Sequence, residues 1–302
     1  MESNRPPVRR ALDPGSGLTE HVVALPGGRR IRTIVAGEGP GPLVVFEAGM
    51  SAPAATWVHT QREIAAHHRT LSYDRAGYGG SDPDPQDRTL ERIVDDLTAL
   101  LDVLGETAPV VFVGHSWGGP VIRLFAERHP ARVAGLVLVD ATIAESMSPK
   151  NAKVTAASFR LMAVLARFGG TGLIRKISLP HGSSAEISQP DLAIMMRDYA
   201  CARAMRAGVR EAKQIPAALA VMRRLQAASL PDVPTVCLQG GRIDRGMATL
   251  RPLLNRIAAE QMAAAPNGKV IVVGEAGHLI PQECPAPVRD AILELVAATK
   301  AS

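Results

Sequence analysis

Val110-Val-Phe-Val-Gly-His-Ser-Trp-Gly-Gly119 decides how this chain is read. Four apolar residues (110–113) end in Gly114-His-Ser-Trp-Gly118, and Pro120-Val-Ile-Arg-Leu-Phe-Ala-Glu-Arg-His129 follows with helical spacing. That order is strand, tight turn, helix, with Ser116 at the apex, and it fits the G-x-S-x-G nucleophile elbow. A strand that reverses into a helix within two residues crowds the positions two before and two after the serine. Gly114 and Gly118 stand there and carry no side chain. Such a turn leaves the serine oxygen exposed beyond the carboxyl end of its strand, where open parallel sheets bind ligands. The N–H of Trp117, at the start of the new helix, points into the same space and can stabilise an oxyanion.

Outward from the elbow, the same rhythm repeats. Residues 43–47, 69–73 and 133–139 read as short buried strands, and 21–25 with 30–36 as a hairpin about Pro26-Gly-Gly28. A helix is expected over 54–67. From 89 to 104, Leu90, Ile93, Val94, Leu97, Leu100, Leu101 and Leu104 recur at threes and fours, the mark of an amphipathic helix. Strand and helix resume at 233–239, 247–264, 269–273 and 286–298. Alternation of this kind predicts right-handed βαβ units, hence an α/β fold with a mostly parallel sheet covered on both faces. Between residues 141 and 231 no strand pattern appears. Helical patches at 154–168, 191–207 and 211–228 read instead as an insertion laid over the sheet. Residues 1–19, rich in Pro, Arg and Gly, read as a loose N-terminal arm. The division is therefore arm (1–19), core (20–140 with 232–302) and insertion (141–231).

A serine hydroxyl is a poor nucleophile at neutral pH and needs a positioned base. Of eight histidines, His278 is the best placed, in Gly274-Glu-Ala-Gly-His-Leu-Ile-Pro281 directly after the last strand. His115 adjoins the serine, but neighbouring side chains diverge on a sharp turn, so it is expected to pack behind the elbow. The base in turn needs a carboxylate to hold its tautomer. Asp244, in Gly240-Gly-Arg-Ile-Asp244 after a strand, is the preferred acid, and flanking Arg242 and Arg245 would keep it ionised if they fold toward it. Asp140, at the end of the preceding strand, is the rival. For a second oxyanion donor, the turn after Glu47 follows the strand expected beside the elbow strand, and the Met50 N–H after Gly49 is chosen.

The order Ser116, Asp244, His278 is that of the α/β-hydrolases. Together with Tyr73-Asp-Arg-Ala-Gly-Tyr-Gly-Gly-Ser81, Ala131-Arg-Val-Ala-Gly-Leu-Val-Leu-Val-Asp140, and Gly277-His278 followed by Pro285 and Val288, it resembles the branch of that superfamily with a helical cap. The resemblance covers about 20–140 and 232–299. It implies the α/β-hydrolase fold, with a helical cap (141–231) inserted after the sixth strand. There is one departure: members often carry His-Gly at the oxyanion turn, where this chain has Ala48-Gly49. Similar epoxide hydrolases and haloalkane dehalogenases use an aspartate nucleophile. Ser116 disfavours those activities and implies acyl chemistry on esters or lactones, with no cofactor and no metal. The same triad serves carbon–carbon bond hydrolases, acyltransferases, amidases or peptidases and cofactor-free peroxidases, and the fold alone serves ligand receptors. The cap is expected to set specificity. Gly49 would border the substrate, and Met162, Phe168, Met195, Met196, Tyr199 and Met222 would line an apolar acyl pocket or simply pack the cap helices. Trp117 is expected at the site's border and Trp57 in the core.

Composition narrows the partners. Hydrophobic residues make up 46% and charged residues 21%, with a net charge of +5 carried by scattered Arg and Lys. Aromatics are 3%, so the clustered cations and stacking rings of a nucleic-acid face are missing. Cys201, Cys237 and Cys284 are far apart and make neither a zinc spacing nor a disulfide framework. No apolar leader or 18-residue apolar run is seen, so a cytoplasmic protein with a small-molecule acyl substrate and no membrane partner is expected. Monomer and homodimer stay equally open.

Overall fold

Strands β1 (Arg10–Ala11), β2 (Thr19–Ala24), β3 (Arg30–Ala36), β4 (Val44–Glu47), β5 (Thr70–Tyr73), β6 (Val110–His115), β7 (Val133–Val139), β8 (Thr235–Gly240) and β9 (Gly268–Val273) form one sheet. Their order is β1-β2-β3-β5-β4-β6-β7-β8-β9. The computed structural model describes residues 10–12 and 17–299. The remainder of the expected arm, 1–9 and 13–16, lies outside the described residues. Pairs from β1 to β3, and β3 with β5, are antiparallel, and every pair from β5 through β4 to β9 is parallel. The chain winds from β4 outward to β5 and then crosses back to β6 on the other side of β4. The sheet's switch point therefore lies between β4 and β6, the place where such sheets open a crevice.

Two helical layers cover the parallel part. Successive residues of a strand point to opposite faces, and β6 shows the consequence. Val110 and Phe112 pack in one cluster with α2 (Leu90–Val103), α3 (Gly118–Arg128) and α9 (Leu250–Ala264). Val111 and Val113 pack in the other, with α1 (Val58–Ala65) and α11 (Pro285–Thr299). Because both faces are buried, these strands read as continuous apolar runs rather than alternating ones. Helix α2 begins at Thr89, whose side chain accepts from Arg92 N–H at 3.2 Å, and it buries the leucine stripe. A four-residue helix, α10 (Ile280–Glu283), follows the histidine loop.

Between β7 and β8 lie α4 (Pro149–Arg167), α5 (Thr171–Ser178), α6 (Gln189–Tyr199), α7 (Ala202–Ala212) and α8 (Ile215–Ala227). The strandless reading of this stretch fits, but its boundaries shift. The single helix expected over 191–207 is two, because the chain turns at Ala200 and Cys201 with no Gly or Pro to mark the break. Helix α5 was not anticipated. The insertion begins after the seventh strand, one more than expected, because two-residue β1 adds to the count. Ion pairs from each part tie it down: Arg32–Asp198 at 2.9 Å, Arg75–Glu211 at 2.7 Å and Arg62–Asp191. Among the described residues, no helix is long and apolar enough to cross a membrane.

Candidate active site

The elbow stands at the carboxyl end of β6, with Ser116 in the left-handed region at φ 51°. Such a φ is costly for a residue with a side chain and is found where the surroundings impose it. Here the Ser116 N–H donates to Val139 O at 3.1 Å, and its carbonyl accepts from Gly119 N–H and Thr142 N–H, both at 2.9 Å. The two elbow glycines are demanded by packing. A Cβ on Gly114 would stand 2.8 Å from Gly118 O, and one on Gly118 would stand 2.4 Å from Glu47 O. The second contact shows how closely the elbow presses on the end of β4, where Glu47 pairs with Gly114.

His278 reaches the serine from the loop after β9, with Nε2 2.9 Å from Ser116 Oγ. Its Nδ1 lies 2.6 Å from Asp140 Oδ2. Asp140 ends β7, next to β6, and is itself in the left-handed region at φ 41°. Its carboxylate is 2% exposed and also accepts from Gly240 N–H at 3.0 Å and, through both oxygens, from Arg251 of α9. Burial alone would raise its pKa, but hydrogen bonds and charge from His278 and Arg251 outweigh that and hold it well below the usual carboxylate range. An ionised carboxylate on Nδ1 fixes the tautomer that leaves Nε2 free to accept the serine proton. His115 donates from Nε2 to His278 O at 2.9 Å, bracing the histidine loop. Burial, with the nearby His278 ring, lowers its pKa to about 4, so His115 is neutral at pH 7.

Opposite the histidine, Gly49 and Met50 follow β4. A Cβ on Gly49 would lie 3.2 Å from Ser116 Cβ, so the turn and the elbow nearly touch. Neither the Met50 nor the Trp117 N–H meets an acceptor among the described residues. Ser116 opens on a cavity of about 260 Å³ whose wall comes from the elbow, the β4 turn, the histidine loop and helices α4 to α6. Gly49, Met50, Trp117, Met195, Met196 and Tyr199 line it. Among the described residues, no Lys, Arg, Asp or Glu is on its wall.

A family model described as "Alpha/beta hydrolase family" matches residues 43–291. This chain belongs to that family. Among curated proteins it is similar to Epoxide hydrolase 4 of Mus musculus, 30% identical over 130 residues, which are 42% of this chain and 36% of that protein's length. Among solved structures it resembles Cfl2 from Burkholderia cenocepacia, with a TM-score of 0.74, 21% identity and coverage of 96% and 99% of the two chains. A thermophilic esterase from Thermogutta terrifontis gives a TM-score of 0.71 at 24% identity, covering 93% and 98%. These structural likenesses bear on the fold.

In this α/β-hydrolase chain the preferred acid is displaced. Asp244 does not reach His278; its carboxylate takes Arg242 Nε at 2.7 Å and His181 Nε2 at 3.1 Å, with its side chain 30% exposed. Local partners separate the two: Asp140 is held against His278 by Gly240 N–H and Arg251, whereas the Asp244 carboxylate is engaged by Arg242 and His181. Of the two flanking arginines, Arg242 folds onto Asp244. A signal for Asp140 was present in Arg251, a buried cation needing a carboxylate, but 111 residues separate them.

Three residues expected to line the pocket fall elsewhere. Met162 packs against Ala163, Ile174 and Met205 between helices. Phe168, just past α4, is 79% exposed. Met222 lies in the main core. Trp57 was expected in the core; it is buried there and also forms part of the cavity wall. Met147, Phe159 and Leu279 line the cavity without having been anticipated. Met147 and Phe159 sit in the insertion, whose facing depends on how it folds over the sheet, and Leu279 directly follows His278 in its loop.

Proposed function

We propose that this protein is a serine hydrolase that cleaves an uncharged ester or lactone through an acyl-enzyme. The observation that carries the reading is the relay Ser116 Oγ–His278 Nε2 at 2.9 Å and His278 Nδ1–Asp140 at 2.6 Å, facing a largely apolar cavity. Ser116 Oγ attacks the carbonyl carbon as its proton passes to His278 Nε2, and the carbonyl oxygen becomes an oxyanion facing the Met50 and Trp117 amides. Collapse breaks the bond to the leaving oxygen, which takes the proton from His278. Water then attacks the acyl-enzyme with His278 as base, releasing the acid and free Ser116. Helices α4 to α8 act as the cap that closes the acyl site.

Uncharged substrates follow from the wall. Moving an unpaired carboxylate into such a site costs several kcal/mol, and no cation waits there. At about 260 Å³ the cavity exceeds the roughly 150 Å³ cavity known to hold benzene, so an acyl group of several carbons fits.

Similarity to epoxide hydrolases supplies a second reading, which the chemistry at position 116 weakens. A carboxylate nucleophile opening an epoxide leaves an ester that water can cleave. A serine would leave an ether with no carbonyl for water to attack, and the enzyme would not turn over. A fluorophosphonate probe tests the proposal: it is expected to label wild type and to leave Ser116→Ala unlabelled.

A further inference from the structure

One buried group that the relay does not use is Arg75, in the loop after β5. Its side chain is 2% exposed, and all five of its N–H donors are engaged. Nη1 donates to Glu47 Oε1 at 2.5 Å and to Ala48 O at 2.6 Å. Nη2 donates to Gly49 O at 2.8 Å and to Glu211 Oε2 at 2.8 Å, and Nε to Glu211 Oε1 at 2.7 Å. Around it, Tyr73 OH donates to the other oxygen of Glu47. Tyr78 OH donates to Glu211 at 2.8 Å and accepts the Ser51 N–H at 3.0 Å.

One planar unit stands between these anchors. In a trans peptide the C=O and N–H point in opposite directions across a rigid plane. The carbonyl of Gly49 and the N–H of Met50 belong to the same peptide. The carbonyl accepts from Arg75 and, at 3.2 Å, from Ala52 N–H within the turn, so the N–H of Met50 must face away from both. The next residue, Ser51, is held in the left-handed region at φ 57°, so the turn is gripped on both sides of Met50.

We infer that Arg75, clamped between Glu47 and Glu211, is a positioning residue that aims the Met50 N–H at the oxyanion. The clamp does for Ala48-Gly49 what neither residue can do alone, since neither has a side chain able to hold the turn. It also ties the oxyanion donor to the cap, because Glu211 is in α7. This inference rests on the serine-hydrolase reading.

The test compares wild type, Arg75→Lys and Glu211→Gln on p-nitrophenyl butyrate, with thermal melting and the affinity for an aryl trifluoromethyl ketone. Ser116 Oγ adds to that ketone carbon, the proton goes to His278, and the oxygen becomes an oxyanion, so ketone affinity reports the hole itself. Arg75→Lys keeps a cation between the glutamates but cannot hold both carbonyls. It is expected to lower kcat about 10²-fold, to leave KM within about threefold, and to weaken ketone binding by the same factor as kcat/KM. Glu211→Gln is expected to give a smaller parallel loss of about tenfold, and it decides the matter if Arg75→Lys does not fold. A folded variant that keeps kcat and ketone affinity within threefold overturns the inference, as does a fall in kcat without a matching fall in ketone affinity. If wild type does not turn over, or Ser116→Ala turns over equally, it is the serine-hydrolase reading that has failed.

Discussion

Replacing Asp140 with Asn separates the two candidate acids. Asp140 accepts from His278 Nδ1, from Gly240 N–H and twice from Arg251. Asparagine keeps one acceptor oxygen and turns the other position into a donor. If that NH₂ faces His278, Nδ1 must accept, the proton moves to Nε2, and the ring can no longer take the proton of Ser116. If it faces Arg251 instead, two donors meet and the histidine still loses its ionic partner. Loss of the correct tautomer in a triad costs about 10⁴-fold in kcat. Stability falls too, by about 3 to 5 kcal/mol, because Arg251 is left buried without a full counter-charge. Asp244→Asn disturbs only partly exposed pairs with Arg242 and His181, worth at most about 1 kcal/mol. Its kcat should stay within about threefold of wild type, a bound set by its lack of contact with His278. The assay is kcat and KM on p-nitrophenyl acetate, with melting curves to show that each variant is folded. An Asp244→Asn enzyme that loses orders of magnitude while Asp140→Asn stays near wild type would refute the geometry argued here.

Two further outcomes are expected. His115 has a folded pKa of about 4 against an ordinary 6.5, so the unfolded chain binds its proton first. Its contribution is fully present above pH 6.5 and is lost as pH falls toward 4, amounting to about 3 kcal/mol. His115→Gln, which keeps a donor toward His278 O, should therefore show a shallower acid loss of stability in urea melts, and equal slopes would count against a buried neutral His115. On the uncharged wall, p-nitrophenyl hexanoate should exceed the mono-p-nitrophenyl ester of adipic acid by at least about 10²-fold in kcat/KM. Rates within threefold of each other would contradict the neutral-substrate reading, and exposed Phe168→Ala should leave both unchanged.

How much of this was legible beforehand depended on the range over which each feature is decided. The elbow is local: Gly114, Ser116 and Gly118 are constrained by contacts within one turn and with the two strands that flank β6, and the sequence showed it. Helix α2 was equally plain, since its leucines recur at helical spacing. His278 followed from its place directly after the last strand. The acid did not, because both Asp140 and Asp244 follow strands, and the choice turns on partners far away in sequence, Arg251 of α9 for Asp140 and His181 for Asp244. The insertion was legible as helical but not in its facing. Met162 and Met195 look alike as letters, yet one packs between helices and the other lines the cavity. The Arg75 clamp was hidden for the same reason, as it joins the β4 turn, the loop after β5 and α7.

The most direct test of the central claim is labelling by a fluorophosphonate, with the modified residue mapped by peptide mass spectrometry. Wild type should gain one label, on Ser116, with loss of esterase activity in step with labelling, and Ser116→Ala should gain none. A folded wild type that takes no label, or one labelled equally when Ser116 is alanine, would contradict the account.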